Sequence, residues 1–311
     1  MTTREKHFLS YDDQITLLKQ QGMIVSDELF AKEVLENVGY YELVNGYKTI
    51  FKPKGRGRYL PGTTFEELLT LYKFDENLRQ LFFKYILRIE IHMRSILSYA
   101  FCERFGDRQA AYLTRENYDT DGPAKDEINH LIGELDRAAN RGDQAVYVMY
   151  YRQKYHDVPL WVLFKVLSQG TLNRFLRCSV PEIRQYAADR FPDLREKTLC
   201  RMLSLMQDFR NVCAHNDCLY SFRGEDTIPM MPAVRMTAYG SDTNGRLYKG
   251  SDMFALLVVF RYLLDERDYR NCVDALKRIL ASFEAGCRTV DREALLRAMG
   301  FPEDWETMSL S

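Results

Sequence analysis

A mostly α-helical bundle is the fold class predicted for this chain of 311 residues, and three observations predict it. Apolar residues recur every three or four positions over long stretches, which is the period of a helix with one buried face. Strand-like alternation is thin, confined to about 219–250, and neither an internal repeat nor a low-complexity tract interrupts the pattern. With 46% of its residues hydrophobic, the chain has apolar mass for one large domain or a domain with a small appendage.

Taken in order, the elements are as follows. Two short helices are expected between 12 and 38. The first is entered through Ser10 with Asp13 three residues on, the second through Ser26 and closed by Gly39. Residues 45–65, "NGYKTIFKPKGRGRYLPGTTF", hold four glycines and two prolines and read as a loop or hairpin at a boundary. This divides the chain into an N-terminal helical unit with its loop (1–60) and a helical domain (61–311). From 64 to about 104, Leu68, Leu71, Tyr72, Leu78, Phe82, Ile86, Ile89, Met93 and Ile96 keep helical spacing, which predicts one long helix or two nearly continuous ones. Further helices are expected at about 123–141, 143–155, 160–178, 181–190, 195–216, 252–264, 266–285 and 290–299. Residues 219–250, with "GSDTNG", read as a short irregular or β insertion.

Charge and cysteine usage narrow the function. A formal net charge of -1 excludes a generally basic nucleic-acid coat, so phosphate binding must rest on local clusters. The seven cysteines are scattered and never spaced C-x2-C, as suits reduced thiols. The opening "MTTREKHFLSYDDQ" has no apolar signal core, and the longest apolar run, "MFALLVVF" (253–260), is too short to span a membrane. A soluble cytoplasmic protein without a membrane partner is expected.

The motif that carries chemistry is "FRNVCAHND" (209–217), in which Arg210, Asn211 and His215 fall within six positions. Five residues advance a helix by about 500°, so Arg210 and His215 stand about 140° apart and converge only if the helix ends near His215. The polar run after His215 allows that end. The spacing is weak by itself and also fits an arginine and a histidine at an ordinary helix C-terminus. A zinc reading of Cys213, His215 and Cys218 lacks a fourth ligand nearby, so no metal is expected, nor any other cofactor. Glu90 and Arg94, at i,i+4 in "RIEIHMR", form either a surface ion pair or a pair at a cleft edge. Lys48, Lys52, Lys54, Arg56 and Arg58 occur without an intervening acid; Lys52, Lys54, Arg56 and Arg58 suit a phosphate clamp, with Tyr59 to stack on a base, or else a solvated hairpin tip. GxxxxGK[ST], GxSxG and HExxH do not occur, which lowers the case for NTPase, serine hydrolase and zinc protease chemistry.

Four blocks in order, at 11–47, 74–97, 159–175 ("PLWVLFKVLSQGTLNRF") and 202–217 ("MLSLMQDFRNVCAHND"), resemble the Abi-like abortive-infection proteins of bacteria (AbiD/AbiF type), a branch of the HEPN superfamily. The resemblance implies a HEPN helical bundle and a metal-independent endoribonuclease in phage defence, a toxin when released. Arg210, Asn211 and His215 match its catalytic motif, and Glu90 and Arg94 match polar positions of its long-helix block. One motif per chain implies a homodimer with a composite site, an RNA substrate and a small structured RNA as a further partner. The family's usual continuation "RNxCAHHxRLWN" is here "RNVCAHNDCLYS", so Asn216, Cys218 and Ser221 replace a histidine, an arginine and an asparagine. The alternative is a noncatalytic RNA-binding or partner-binding HEPN module.

Overall fold

A computed structural model describes residues 8–53, 55, 57–142, 145–235 and 250–307. These residues form a helical bundle, and among them no strand occurs; isolated bridges join Ile24 to Thr64 and Tyr118 to Ser179.

Helix α1 (Tyr11–Gln20) starts at Ser10, whose hydroxyl accepts from the Asp13 N–H, as the capping pattern predicts. Helix α2 (Glu28–Val38) is capped by Asp27 and not by Ser26: the Asp27 carboxylate reaches the Phe30 N–H at 2.9 Å. Gly39, with φ at +86°, ends it. The expected loop from residue 45 is instead helical as far as Phe51. A π-helical turn (Tyr41–Asn45) runs into α3 (Gly46–Phe51), and the irregular segment begins at Lys52. Tyr47 and Phe51, four apart, are both buried, so core contact outweighs the glycine's low helix propensity.

Helix α4 (Phe65–Phe105) is one continuous helix of 41 residues, opened by a capping box between Thr64 and Glu67. Its buried stripe runs from Phe65 through Leu78, Ile86 and Met93 to Phe101, and much of the bundle packs around it. After it come α5 (Gln109–Leu113), α6 (Ile128–Arg137), α7 (Val146–Tyr155), α8 (Leu160–Leu163), α9 (Gln169–Cys178), α10 (Pro181–Ala188) and α11 (Glu196–His215). Pro181 at the first turn of α10 and Ser168 capping α9 mark two of these starts.

The expected insertion is irregular over 219–231 and then forms a single helical turn, α12 (Pro232–Arg235); its remainder, 236–249, lies outside the described residues. Helix α13 (Met253–Leu263) is buried over nearly its whole surface. Helices α14 (Glu266–Gly286) and α15 (Arg292–Met299) follow, with α14 lying along α4. Both are entered through aspartates, Asp265 and Asp291, that accept from backbone N–H groups three residues on. Glu67 joins the first turn of α4 to the turn between α14 and α15: its carboxylate accepts from the N–H groups of Arg288 and Thr289 and from the Thr289 hydroxyl at 2.6–2.9 Å.

Candidate functional site

The site grows out of the seam between α4 and α11. On α11 the buried residues Leu199, Met202, Leu203, Met206, Phe209 and Val212 recur at helical spacing and face the bundle. The helix ends at His215, as the polar run predicted. Asn216 takes the left-handed conformation (φ +61°), and the N–H groups of Asn216 and Asp217 both turn back to the Val212 carbonyl. Asparagine tolerates that conformation, so the residue standing where the resembling family has a second histidine is also the cap of the motif helix.

What secures the segment beyond the cap is a buried cluster on α4. Asp75 is fully buried. Its Oδ2 accepts from the Tyr47 hydroxyl (2.8 Å), Arg79 Nη1 (2.6 Å) and the Leu219 N–H (2.9 Å), and its Oδ1 accepts from the Tyr220 N–H (2.6 Å). Arg79 Nη1 also reaches the Tyr47 hydroxyl at 2.9 Å and the Asp217 carbonyl at 3.3 Å. Desolvation pushes the Asp75 carboxyl above its ordinary pKa even though four donors surround it. Burial likewise pushes the Tyr47 phenol up, with the Asp75 charge adding to the effect. The Tyr47 and Tyr220 rings stack with centroids 6.1 Å apart, so the turn after the motif is held by charge, hydrogen bonds and ring packing together.

One turn further along α4, the ring of Phe83 lies under Arg210, whose guanidinium carbon is 5.8 Å from the ring centroid. Arg210 is half-buried, and its Nε has no hydrogen-bond partner. Asn211 and His215 are exposed and, four apart, share one face of α11. Among the described residues no carboxylate pairs with Arg210 or His215. Because the helix runs through His215, Arg210 stands about 140° from it around the axis, so a half-buried, unpaired cation lies beside Phe83 while an amide and an imidazole face solvent on another side of a helix end anchored on a buried ionic cluster. Side chains of these types are the ones that bind anions and exchange protons in other proteins.

Glu90 and Arg94 lie deeper than an ordinary surface pair. Arg94 Nη2 donates to Glu90 Oε1 and, at 2.8 Å, to the Leu167 carbonyl, while Glu90 Oε2 and Arg94 Nε are buried without partners. No hydrogen bond or ion pair joins them to Arg210, Asn211 or His215. Glu90 stands seven residues beyond Phe83, or about 10 Å along the helix axis. Amide side chains bridge α9 and α11: Gln169 donates to Asn173 (2.9 Å), which donates to Gln207 (2.9 Å) and to the Leu203 carbonyl (3.0 Å).

The basic loop is only partly described. Lys52 donates to Gln21 at 2.8 Å and sits 5.5 Å from the Tyr59 ring; Arg58 packs against Gly22. Lys54 and Arg56 lie outside the described residues. Tyr59 is 5% exposed, so the expected stacking role falls away: its ring belongs to the core beneath the loop. Cys213 and Cys218 are half-buried, and desolvation pushes each thiol up to about 12, which disfavours the thiolate a metal ligand requires.

Asp75, Arg79 and Tyr47 are the residues sequence reading passed over. A signal did exist: an i,i+4 acid and base inside the apolar stripe of a long helix points to a paired, buried charge. The profile of one protein family, described as Abi-like protein, matches residues 33–221. No curated protein and no solved structure matches the chain.

Proposed function

The chain belongs to the Abi-like protein family, and from that premise we propose that it acts in abortive infection as a metal-independent endoribonuclease of HEPN type (AbiD/AbiF-like), working in the bacterial cytoplasm. The observation that carries the reading is that Arg210, Asn211 and His215, in the last turns of α11, have no carboxylate paired with them among the described residues.

RNA brings its own nucleophile. The 2′-hydroxyl oxygen attacks the adjacent phosphorus, an imidazole takes the hydroxyl proton, and the bond to the 5′ oxygen breaks as a second imidazole returns a proton to it. The products are a 2′,3′-cyclic phosphate and a free 5′-hydroxyl. Arg210 neutralises the charge that grows on the phosphorane oxygens, and its partial burial against Phe83 strengthens that interaction relative to water. Asn211 holds a phosphate oxygen on the His215 face. Each chain supplies one His215, so two imidazoles require two chains, and the site is composite across a homodimer axis. Glu90 and Arg94 support it by fixing α4 against the segment before α9. Lys52, Lys54, Arg56 and Arg58 add affinity for the RNA backbone, and a small structured RNA is a candidate partner alongside the substrate.

Asn216, Cys218 and Ser221, in place of the family's usual flank, favour a second reading, in which the same face binds RNA or a partner without cutting. The two separate on His215→Ala assayed for both properties. Cleavage lost with binding kept supports the nuclease; binding lost with no cleavage by the wild type supports the binding module.

A further inference from the structure

Helix α7 is almost unburied. Of its ten residues Val148 alone is buried, yet the helix carries Tyr147, Tyr150, Tyr151 and Tyr155, and Trp161 follows on the next turn of chain. Val146 is 82% exposed and Trp161 47%. Tyr151 is half-buried against the core, but Tyr147, Tyr150, Tyr155 and Trp161 are exposed, and an aromatic face of this kind is costly in water.

Cations are interleaved with the rings. Lys154 lies 5.0 Å from the Tyr150 centroid and 5.2 Å from that of Tyr155, and Lys165 lies 4.6 Å from that of Tyr147. The rings of Tyr150 and Tyr151, and of Tyr150 and Tyr155, meet at 86° and 77°, so their faces open in different directions. Beside them is a cavity of about 370 Å³, lined by Tyr151, Tyr155, Trp161, Arg108, Asp107 and Asp157, within the size range of small-ligand sites. Of its two carboxylates, Asp157 already accepts from the Gln109 N–H at 2.9 Å. Arg108, Lys154 and Lys165 are exposed.

We propose that this face of α7, with Trp161, is a stacking platform for single-stranded RNA, separate from the Arg210/His215 motif. The inference takes its RNA partner from the proposed function and does not depend on cleavage. Unpaired bases stack on aromatic faces while neighbouring lysines neutralise the phosphates between them, and that pairing of rings with cations is what α7 presents. Lysines sit over the rings of Tyr147, Tyr150 and Tyr155, and α7 carries no acidic residue, which suits a polyanion with stackable bases. Duplex RNA keeps its bases stacked and out of reach.

Tryptophan provides the readout. The chain has two, and Trp305 is 1% exposed, so a ligand-induced change in emission reports on Trp161. The full-length wild-type protein is titrated with a single-stranded 2′-O-methyl oligoadenylate of about 12 nucleotides, which lacks the nucleophile and cannot be cut. Quenching that tracks binding by anisotropy is expected, together with affinity at least about tenfold weaker in the doubly substituted Tyr150→Ala/Tyr155→Ala protein and little quenching by the duplex. Three results overturn the proposal: no binding; binding with unchanged emission and unchanged affinity in the double variant; or an emission change that follows protein concentration without RNA, which assigns the face to a second copy of the chain. Failure of the nuclease reading is separate, since it shows as no cleavage by the wild type, or as cleavage by His215→Ala at the wild-type rate, and leaves these binding outcomes intact.

Discussion

The buried carboxylate of Asp75 accepts a hydrogen bond from the backbone N–H of Tyr220 at 2.6 Å, across 145 residues of sequence. With Arg79 and the Leu219 N–H it closes the end of the motif helix onto α4. Asp75→Ala leaves the Arg79 charge buried and should cost about 3–5 kcal/mol in urea denaturation. Replacing both residues, as in Asp75→Leu/Arg79→Met, should cost clearly less than the sum of the two single changes. Strict additivity in that double-mutant cycle would show that the pair is not coupled.

The motif residues should behave in the opposite way. His215 is exposed, so His215→Ala should leave the thermal midpoint nearly unchanged while lowering RNA cleavage by about 10²–10⁴-fold. Products should carry 2′,3′-cyclic phosphates and form undiminished in EDTA. Cleavage that stops in EDTA, resumes with magnesium and leaves 5′-phosphates would contradict the mechanism.

A composite site predicts strong dominance in mixed dimers. Wild type exchanged with His215→Ala should give heterodimers with far less than half the wild-type activity per dimer. Half or more would mean that each motif works alone.

Substituting Lys52, Lys54, Arg56 and Arg58 together with alanine should weaken RNA binding by about tenfold or more at moderate salt and flatten the salt dependence by about one unit per lost phosphate contact. Turnover at saturating RNA should change little. Because Lys52 also bonds Gln21, Lys52→Ala alone separates a small stability effect from the electrostatic one.

Glu67 sets an acid limit. Burial alone would push its pKa up, but bonds from the Thr289 hydroxyl and from the Arg288, Thr289 and Thr64 N–H groups outweigh burial and hold the carboxyl below its ordinary range. A depressed folded-state pKa stabilises the protein above the unfolded value of about 4.3, and that stability is lost as pH falls through the folded value. Glu67→Gln should therefore destabilise the protein by about 1–2 kcal/mol at neutral pH. The difference in urea midpoint from wild type should shrink below about pH 4. A difference independent of pH would assign the effect to packing.

The parts of this architecture legible in the sequence are those set by local rules. Ser10 and Gly39 bound helices as read, and the stripe from Leu68 to Ile96 announces α4, because caps and periodicity act within a few residues. "NGYKTIF" misleads, since its glycine and asparagine suggest a loop while Tyr47 and Phe51 are drawn into a core assembled from distant elements. Asp75 escaped for a related reason: two of its donors are backbone amides, which no side-chain motif reveals. The "FRNVCAHND" motif could be located in the sequence, but the support of Arg210 by Phe83 depends on how two helices pack and could not. Tyr59 and the α7 tyrosines are the same residue type with opposite burial, which composition cannot distinguish.

The length of α4 restricts how this protein can vary. A single unbroken helix bears Glu67, Asp75, Arg79, Phe83 and Arg94, which engage the 288–289 turn, Tyr47 and the 217–220 segment, Arg210 and the Leu167 carbonyl in turn. One residue inserted or deleted within it would rotate everything beyond by about 100° and shift it by about 1.5 Å, unseating every later attachment at once. Changes of length are thus disfavoured along some 40 consecutive positions and better tolerated in the irregular segment after the motif. Relatives of this protein should be gap-free across α4 and differ in length around 221–250.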